Sequence, residues 1–422
     1  MDALDNTKDN VANDRVDKSG GMEALANSPG AAVSQPCIQA VETMTVTNFR
    51  NYGRARIEPG MRSVVLFGAN GAGKTNLLEA VSFLVPGRGL RRGRLSEINR
   101  QQNGGHKTDT SSQGWGVAAR VVNGDQQYQI GTGIVTSDAG GGREKRQVRI
   151  DGEDKKGQSD LAACLTAQWL TPGMDRIFVE GPGARRRFLD RLIFGWDAAH
   201  AGRVSSFEQA LRERARLLEN PSLQDDAWLA AIEARMAEKA VAVTAARVEL
   251  VARLDRACKA VIAPFPEARI QLDGLLEGWL EEGPALAAED RYRDLLARNR
   301  DRDRDGGRTE QGPHRTDLRV FHVRKNQPAE LCSTGEQKAL LIALILANAR
   351  LHRQSHGRQP VLLLDEIGAH LDETHRFALF DELFTSGVQV WMTGTDRRVF
   401  EPLKGRAGFY KIDDGVITPE HQ

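Results

Sequence analysis

The stretch Gly68-Ala-Asn-Gly-Ala-Gly-Lys-Thr75 constrains this chain more than any other. It matches GxxxxGK[ST] at every fixed position; the apolar run Val64-Val-Leu-Phe67 leads into it, and Leu77, Leu78, Val81, Leu84 and Val85 follow at helical spacing. Strand, glycine loop and helix together make a phosphate cradle. Gly68, Gly71 and Gly73 permit backbone angles closed to other residues, so the amides from Gly68 through Ala69, Asn70, Gly71, Ala72 and Gly73 turn inward, and the helix beginning at Lys74, Thr75 and Asn76 adds its dipole. Lys74 is placed to reach the β and γ phosphates of ATP, and Thr75 to ligate Mg2+.

Far downstream, Val361-Leu-Leu-Leu364 ends in Asp365 and Glu366, an apolar strand closing on two acids. With a P-loop upstream this reads as Walker B: Asp365 holds the metal shell, and Glu366 activates the attacking water as general base, so Lys74, Asp365 and Glu366 are the candidate catalytic residues. Between them lies Cys332-Ser-Thr-Gly-Glu-Gln-Lys338, followed by a segment, Ala339 to Leu351, apolar on nearly every face and so expected to be buried. Ser333 or Thr334 is a natural helix N-cap. The order of signature, helix, Walker B strand and then Ala369-His-Leu-Asp372 gives a sharper reading. Ser333 and Gly335 form the signature motif of an ABC-type ATPase and Asp372 its D-loop, facing the γ phosphate of ATP held by a second copy.

The rest of the chain reads by composition and period. Residues 1–40 carry almost no large apolar side chains and are expected to be a disordered tail, with Met22 and Met44 as alternative starts. Met44-Thr-Val-Thr-Asn-Phe49 alternates like a strand and is expected in the same sheet as Ser63 to Phe67. Asn99 to Gln113, Ser137 to Gly142 and the run from Arg298 to Gly307 read as surface loops, the last too charged to pack. Ile232, Met236, Val243, Leu250, Leu254 and Val261 hold one stripe of a long helix ended by Pro264 and Pro266; Phe207, Leu211, Leu217 and Leu218 predict its antiparallel partner, broken near Pro221. The expected division is tail 1–40, first part of an ATPase head 41–190, helical arm 191–300, and the rest of the head 301–422. No apolar run reaches the roughly 18 residues of a membrane span. The acidic start lacks the pattern of a secretory signal, which makes the cytoplasm the expected location and a membrane partner unexpected. Four scattered cysteines argue against a disulfide framework or zinc site, and 58 basic against 57 acidic residues make any nucleic-acid surface local.

Several further motifs carry a resemblance. Asn48-Phe-Arg-Asn-Tyr52, the P-loop with Asn76-Leu-Leu-Glu-Ala80, Gly87-Arg-Gly-Leu-Arg91, Gly181-Pro-Gly-Ala-Arg-Arg-Arg-Phe-Leu-Asp190, Phe207-Glu-Gln-Ala-Leu-Arg-Glu-Arg214, Gly312-Pro-His-Arg-Thr-Asp317, the signature and Leu363-Leu-Asp-Glu-Ile367 resemble the RecF family of bacterial DNA repair proteins from about Thr45 onward. The resemblance implies an α/β ABC-type P-loop ATPase head like those of SMC proteins, with a mixed sheet, flanking helices and an inserted helical arm. It also implies an ATP-dependent homodimer, binding to gapped or junction DNA, slow hydrolysis that times release, and work with RecR and RecO in loading RecA. Arg50 and Asn51 would by this likeness touch nucleotide phosphate or base, a solvated arginine and a turn asparagine being the plainer reading.

The chain departs from the common ABC pattern in two places. Val390-Trp-Met-Thr-Gly-Thr-Asp396 stands where many carry a switch histidine, leaving Thr393 or Thr395 as candidates, and no Q-loop glutamine stands out. DNA-contact candidates are Arg88, Arg91, Arg92, Arg94 and Arg100 against the single Glu97, with Arg185 to Arg187 as a second basic knot; a solvated face or internal ion pairing is the alternative. A transporter-type or other SMC-like ABC subunit is the competing class, although transporter subunits place signature and P-loop much closer together.

Overall fold

Every residue of Ser63–Phe67 and of Val361–Leu364 is buried, as expected of central parallel strands covered on both faces. The computed structural model describes residues 39–100, 114–134, 145–220, 225–260, 263–368 and 371–420. Most of the expected tail, the first insertion beyond Arg100, the second insertion, Pro221 and the Ala369-His370 pair fall outside these residues. In chain order the elements are β1 (Gln39–Phe49), β2 (Tyr52–Ile57), β3 (Ser63–Phe67), α1 (Lys74–Ser82), β4 (Gly116–Asn123), β5 (Gln126–Gly133), β6 (Gln147–Ile150), β7 (Glu153–Lys155), α2 (Leu161–Cys164) and β8 (Ala167–Leu170). Next come α3 (Pro182–Phe194), α4 (His200–Glu219), α5 (Asp226–Cys258), β9 (Ala268–Asp273), α6 (Leu275–Glu282), α7 (Ala285–Arg298) and α8 (Arg300–Asp305). The chain closes with β10 (Asp317–His322), β11 (Gln327–Pro328), α9 (Thr334–His356), β12 (Val361–Leu364), α10 (Glu373–Ser386), β13 (Val390–Gly394), β14 (Ala407–Asp413) and β15 (Val416–Glu420).

Among the described residues the strands form three sheets. The sheet β15-β14-β3-β13-β12-β8 is parallel except for its edge strand β15. Its order puts β13 between the P-loop strand and the Walker B strand, so the ends of β3 and β12 are brought to one side of the sheet. The sheet β2-β1-β4-β5-β6-β7 is antiparallel, and β11-β10-β9 is a small third sheet.

Two expectations are corrected here. β1 and β3 lie in different sheets: β1 bonds to β2 and β4, whereas β3 bonds to β14 and β13. They share a core instead of a ladder, Val41, Met44, Val46 and Phe49 packing with Val64, Leu66 and the α1 residues Leu77, Leu78 and Val81. β1 also starts at Gln39, ahead of the visible alternation, because a register shift between Val41 and Thr43 breaks the period of two. The second correction concerns the charged run, part of which is helix α8 with Asp303 buried. The alternation of signs turns Asp303 inward onto Arg214, and Arg300 reaches Glu233, so the charges pack by pairing.

The helical stripe holds from Ile232 through Met236, Val243, Leu250 and Leu254, all buried along α5, but the helix ends at Cys258, short of Val261, which lies outside the described residues, and of Pro264 and Pro266; Asn220 closes its partner α4. The upper half of α5 packs with α4, α6 and α7 in a core of its own, including Phe207, Met236 and Tyr292. Its lower half joins the main core with α9, whose Leu340, Leu341, Leu344 and Ile345 are buried as expected. Among the described residues no helix is long and apolar enough to cross a membrane.

Candidate nucleotide-binding site

At the end of β3 the chain turns through Gly68, Gly71 and Gly73 with φ of 149°, 83° and 114°. The first and last are sterically required: a Cβ on Gly68 would sit 2.2 Å from the Ile412 carbonyl oxygen, and one on Gly73 would sit 2.5 Å from Asn51 Nδ2. Lys74 Nζ donates to the carbonyls of Gly68 and Ala69 at 2.8 Å each, curled over the loop it serves. Burial lowers its pKa from the ordinary lysine value, and the charges of Glu366 and Asp365 oppose that shift. No acidic residue of α1 itself stands in its first turn, so the helix supplies no anion of its own at its N-terminus.

Across 290 positions of sequence, Thr75 Oγ1 donates to Asp365 Oδ1 at 2.9 Å. A hydroxyl and a carboxylate, both hard oxygen donors, therefore meet at the phosphate side of the loop. That is the donor set magnesium takes from a protein when substrate phosphates and water complete its shell. Thr393 Oγ1 donates to the same Oδ1 at 2.7 Å and accepts from the Glu366 backbone N–H at 2.8 Å. With its hydroxyl engaged in both bonds, fully buried Thr393 positions the two acids, while Thr395 lies exposed. Glu366 holds φ at 49°, a left-handed geometry uncommon for a glutamate and the kind of strain that collects at functional sites.

The turn between β1 and β2 braces the loop from outside. Asn51 Nδ2 donates to the Ala72 carbonyl at 3.0 Å, Tyr52 Oη to the Gly73 carbonyl at 3.1 Å, and Asn76 Nδ2 to Asn51 Oδ1 at 2.8 Å. Arg50 forks onto Glu79 at 2.8 and 2.7 Å, and Arg91 donates to Asn76 at 2.6 Å. Arg50 and Asn51 thus stand beside the loop as supports in this structure. Tyr52 was not singled out by sequence reasoning, and its only signal was its place in the Asn48 to Tyr52 motif.

Ser333, Gly335 and Asp372 come together elsewhere. Ser333 caps α9 in a reciprocal box with Glu336, and Asp372 caps α10 by accepting from the His375 N–H at 2.8 Å. Both caps face one open groove of about 980 Å³ whose lining includes no P-loop residue. Exposed apolar side chains surround this part of the surface in sequence: Val323, Leu331 and Phe377 are 38%, 70% and 45% exposed. A single copy brings the glycine loop together with Asp365 and, separately, brings Ser333 and Gly335 together with Asp372.

The basic candidates divide. Arg185 is buried, forked onto Asp317 at 2.7 and 3.0 Å, and donates to the Phe178 carbonyl, so it is internal structure. Arg88, Arg92 and Arg187 are exposed and form no ion pair among the described residues. Partial desolvation of its guanidinium, then the charges of Arg187 and Arg88, lowers the Arg92 pKa, so the two sequence-distant basic knots lie within mutual range.

Comparison with known proteins agrees with this geometry. The family model "RecF/RecN/SMC N terminal domain" matches residues 40–418. The chain is 48% identical over 389 residues to the DNA replication and repair protein RecF of Mesorhizobium japonicum, covering 91% of this chain and 99% of that one. It is 45% identical over 394 residues to RecF of Caulobacter vibrioides, covering 90% and 98%. Among solved structures, the recombination mediator protein RecF-ATPrS in the RecFOR pathway superposes with a TM-score of 0.78 at 21% identity, over 92% of this chain and 99% of that one. An SMC head domain from Pyrococcus furiosus gives 0.50 at 17%, over 91% and 96%.

Proposed function

This chain belongs to the RecF family of DNA replication and repair proteins, with the fold of an ABC-type ATPase head, and we propose that it works as an ATP-gated DNA clamp. One observation supports the reading most: the glycine loop with its two acids and the capped helix at Ser333 occupy separate places in the same copy, the second of them an open groove. ATP bound in the first would be completed by the second site of a twin.

Lys74 and the inward amides of the loop hold the triphosphate charge, and Thr75 with Asp365 would hold Mg2+. When bound, that ion supplies charge neutralisation between phosphate oxygens. Glu366, aligned by Thr393, takes the proton of the attacking water at its carboxylate. Hydrolysis dissolves the dimer, so chemistry that is slow relative to binding sets the lifetime of the clamp. The helical layer of residues 191–300 is the arm between the two head segments, 41–190 and 301–422. Gapped or junction DNA is the nucleic-acid ligand, RecR and RecO are the partners in loading RecA, and the cytoplasm is the setting.

The test is binding of a gapped duplex with and without ATP and Mg2+, measured by fluorescence anisotropy across a salt series. ATP should tighten binding in the wild type and have no effect in Lys74→Ala. Equal affinity with and without ATP in the wild type would remove the gate.

A further inference from the structure

The hairpin beside the helix that Ser333 caps carries two cations, Arg324 and Lys325. β10 and β11 are joined by a single tight turn, Val323–Lys325, ending in Asn326 at φ 49° and ψ 43°. That left-handed residue reverses the chain, and the turn sets Arg324 and Lys325 on the groove that also holds Ser333, Gly335 and Asp372. Arg324 makes no ion pair among the described residues. Lys325 pairs with Glu336.

The Glu336 carboxylate is where several donors converge. Its Oε2 accepts from the Ser333 N–H and from the Ser333 hydroxyl at 3.0 Å each, while Lys325 supplies the charge. Lys325, followed by the serine donors, pulls the Glu336 pKa down to about 2, so the group is an anion at any working pH. The other carboxylates on the groove do not compete for Lys325: Asp372 is turned onto His375 at 2.8 Å, and Glu267 forms no ion pair among the described residues. An ammonium, a serine hydroxyl and a helix-end amide on one anion is also a donor set for a phosphate oxygen, and phosphate brings more charge than a carboxylate.

We propose that Lys325 is a trans-acting cation of the composite nucleotide site, and that Glu336 occupies its place and the hydroxyl of Ser333 until the terminal phosphate from a second copy displaces it. The inference rests on the reading of Ser333 given above. Glu336 then sets the ATP threshold for pairing two copies, and Lys325 sets the gain once they pair.

Three variants test this by light scattering over an ATP titration. Lys325→Ala should raise the ATP needed for half-maximal dimerisation about tenfold, the scale of one charge-assisted contact, whereas Lys325→Arg should stay close to wild type. Glu336→Gln keeps an acceptor for the capping box but removes the competing charge, and should lower the ATP requirement several-fold. A mixing experiment assigns the action between copies. Lys74→Ala and Lys325→Ala should each be deficient in turnover alone, and their mixture should recover, since a mixed dimer contains one site built from two intact halves. Wild-type dimerisation by Lys325→Ala, a raised requirement in Glu336→Gln, or no recovery on mixing would each overturn the proposal. A wild type that never dimerises with ATP would instead defeat the composite-site reading on which it rests.

Discussion

Charge is concentrated in two regions of this molecule, and it is treated oppositely in them. In the arm, Arg214 is fully buried and satisfied on all sides: Glu233 at 2.9 Å, Asp303 at 2.7 Å, Thr309 at 2.8 Å and the Leu296 carbonyl at 2.8 Å. Arg300 adds a second cation to Glu233 at 2.6 Å, so the charges balance internally. In the nucleotide site, Lys74 rests on neutral carbonyls, and Asp365 is met by two hydroxyls and no cation. A network complete within the chain holds the chain together. One completed only by neutral groups is prepared for charge from outside.

The largest expected effect breaks the arm side of the comparison. Arg214→Ala strands Asp303 in the interior and leaves Glu233 to Arg300 alone, and should cost about 3–5 kcal/mol of folding stability by denaturant titration. A loss below about 1 kcal/mol would show that water reaches the network and that it is not closed. On the nucleotide side, Lys74→Ala should weaken ATP binding by roughly 2–3 kcal/mol in calorimetry, the value of hydrogen bonds from a charged donor. It should move folding stability by less than about 1 kcal/mol, because its direct contacts are two neutral carbonyls and no acid is within ion-pair distance among the described residues. Gly73→Ala should cost about 1–3 kcal/mol, from the forbidden φ and the clash with Asn51 and Tyr52, and a smaller Tm shift than Arg214→Ala would keep the ordering.

The smallest effect is a pH dependence. Burial pushes His314, stacked on Phe207 in the arm, down to about 4, so the folded state binds fewer protons than the unfolded state below the ordinary histidine value. Its contribution is complete above about pH 6.5 and is lost as pH falls toward 4, at up to about 1.4 kcal/mol per pH unit. His314→Gln should flatten that segment of the stability curve. An unchanged slope would mean that His314 protonates freely in the folded protein.

Local chemistry was the legible part of the sequence. The P-loop, the acids after Val361–Leu364 and the Ser333 cap are each set by a few adjacent residues, and each stands where its pattern implied. What depends on distant partners was not legible. The register shift in β1 hid its first residues, and only a ladder can show that β1 and β3 belong to different sheets. The run from Arg298 looked unpackable because its counter-charges, Arg214 and Glu233, lie on α4 and α5. Arg185 looked like a surface cation for the same reason, its partner Asp317 being 132 positions away. The position of Thr393 after Val361–Leu364 makes it a candidate, but its bonds to both acids appear only once β13 is inserted between β3 and β12.

Sedimentation velocity of Ser333→Arg beside the wild type, at saturating ATP and Mg2+, addresses the central claim most directly. The account predicts that the wild type doubles its mass, while the variant binds nucleotide and remains a single copy because its signature face rejects the twin's phosphate. A variant that pairs as well as the wild type, or a wild type that stays single, would contradict it.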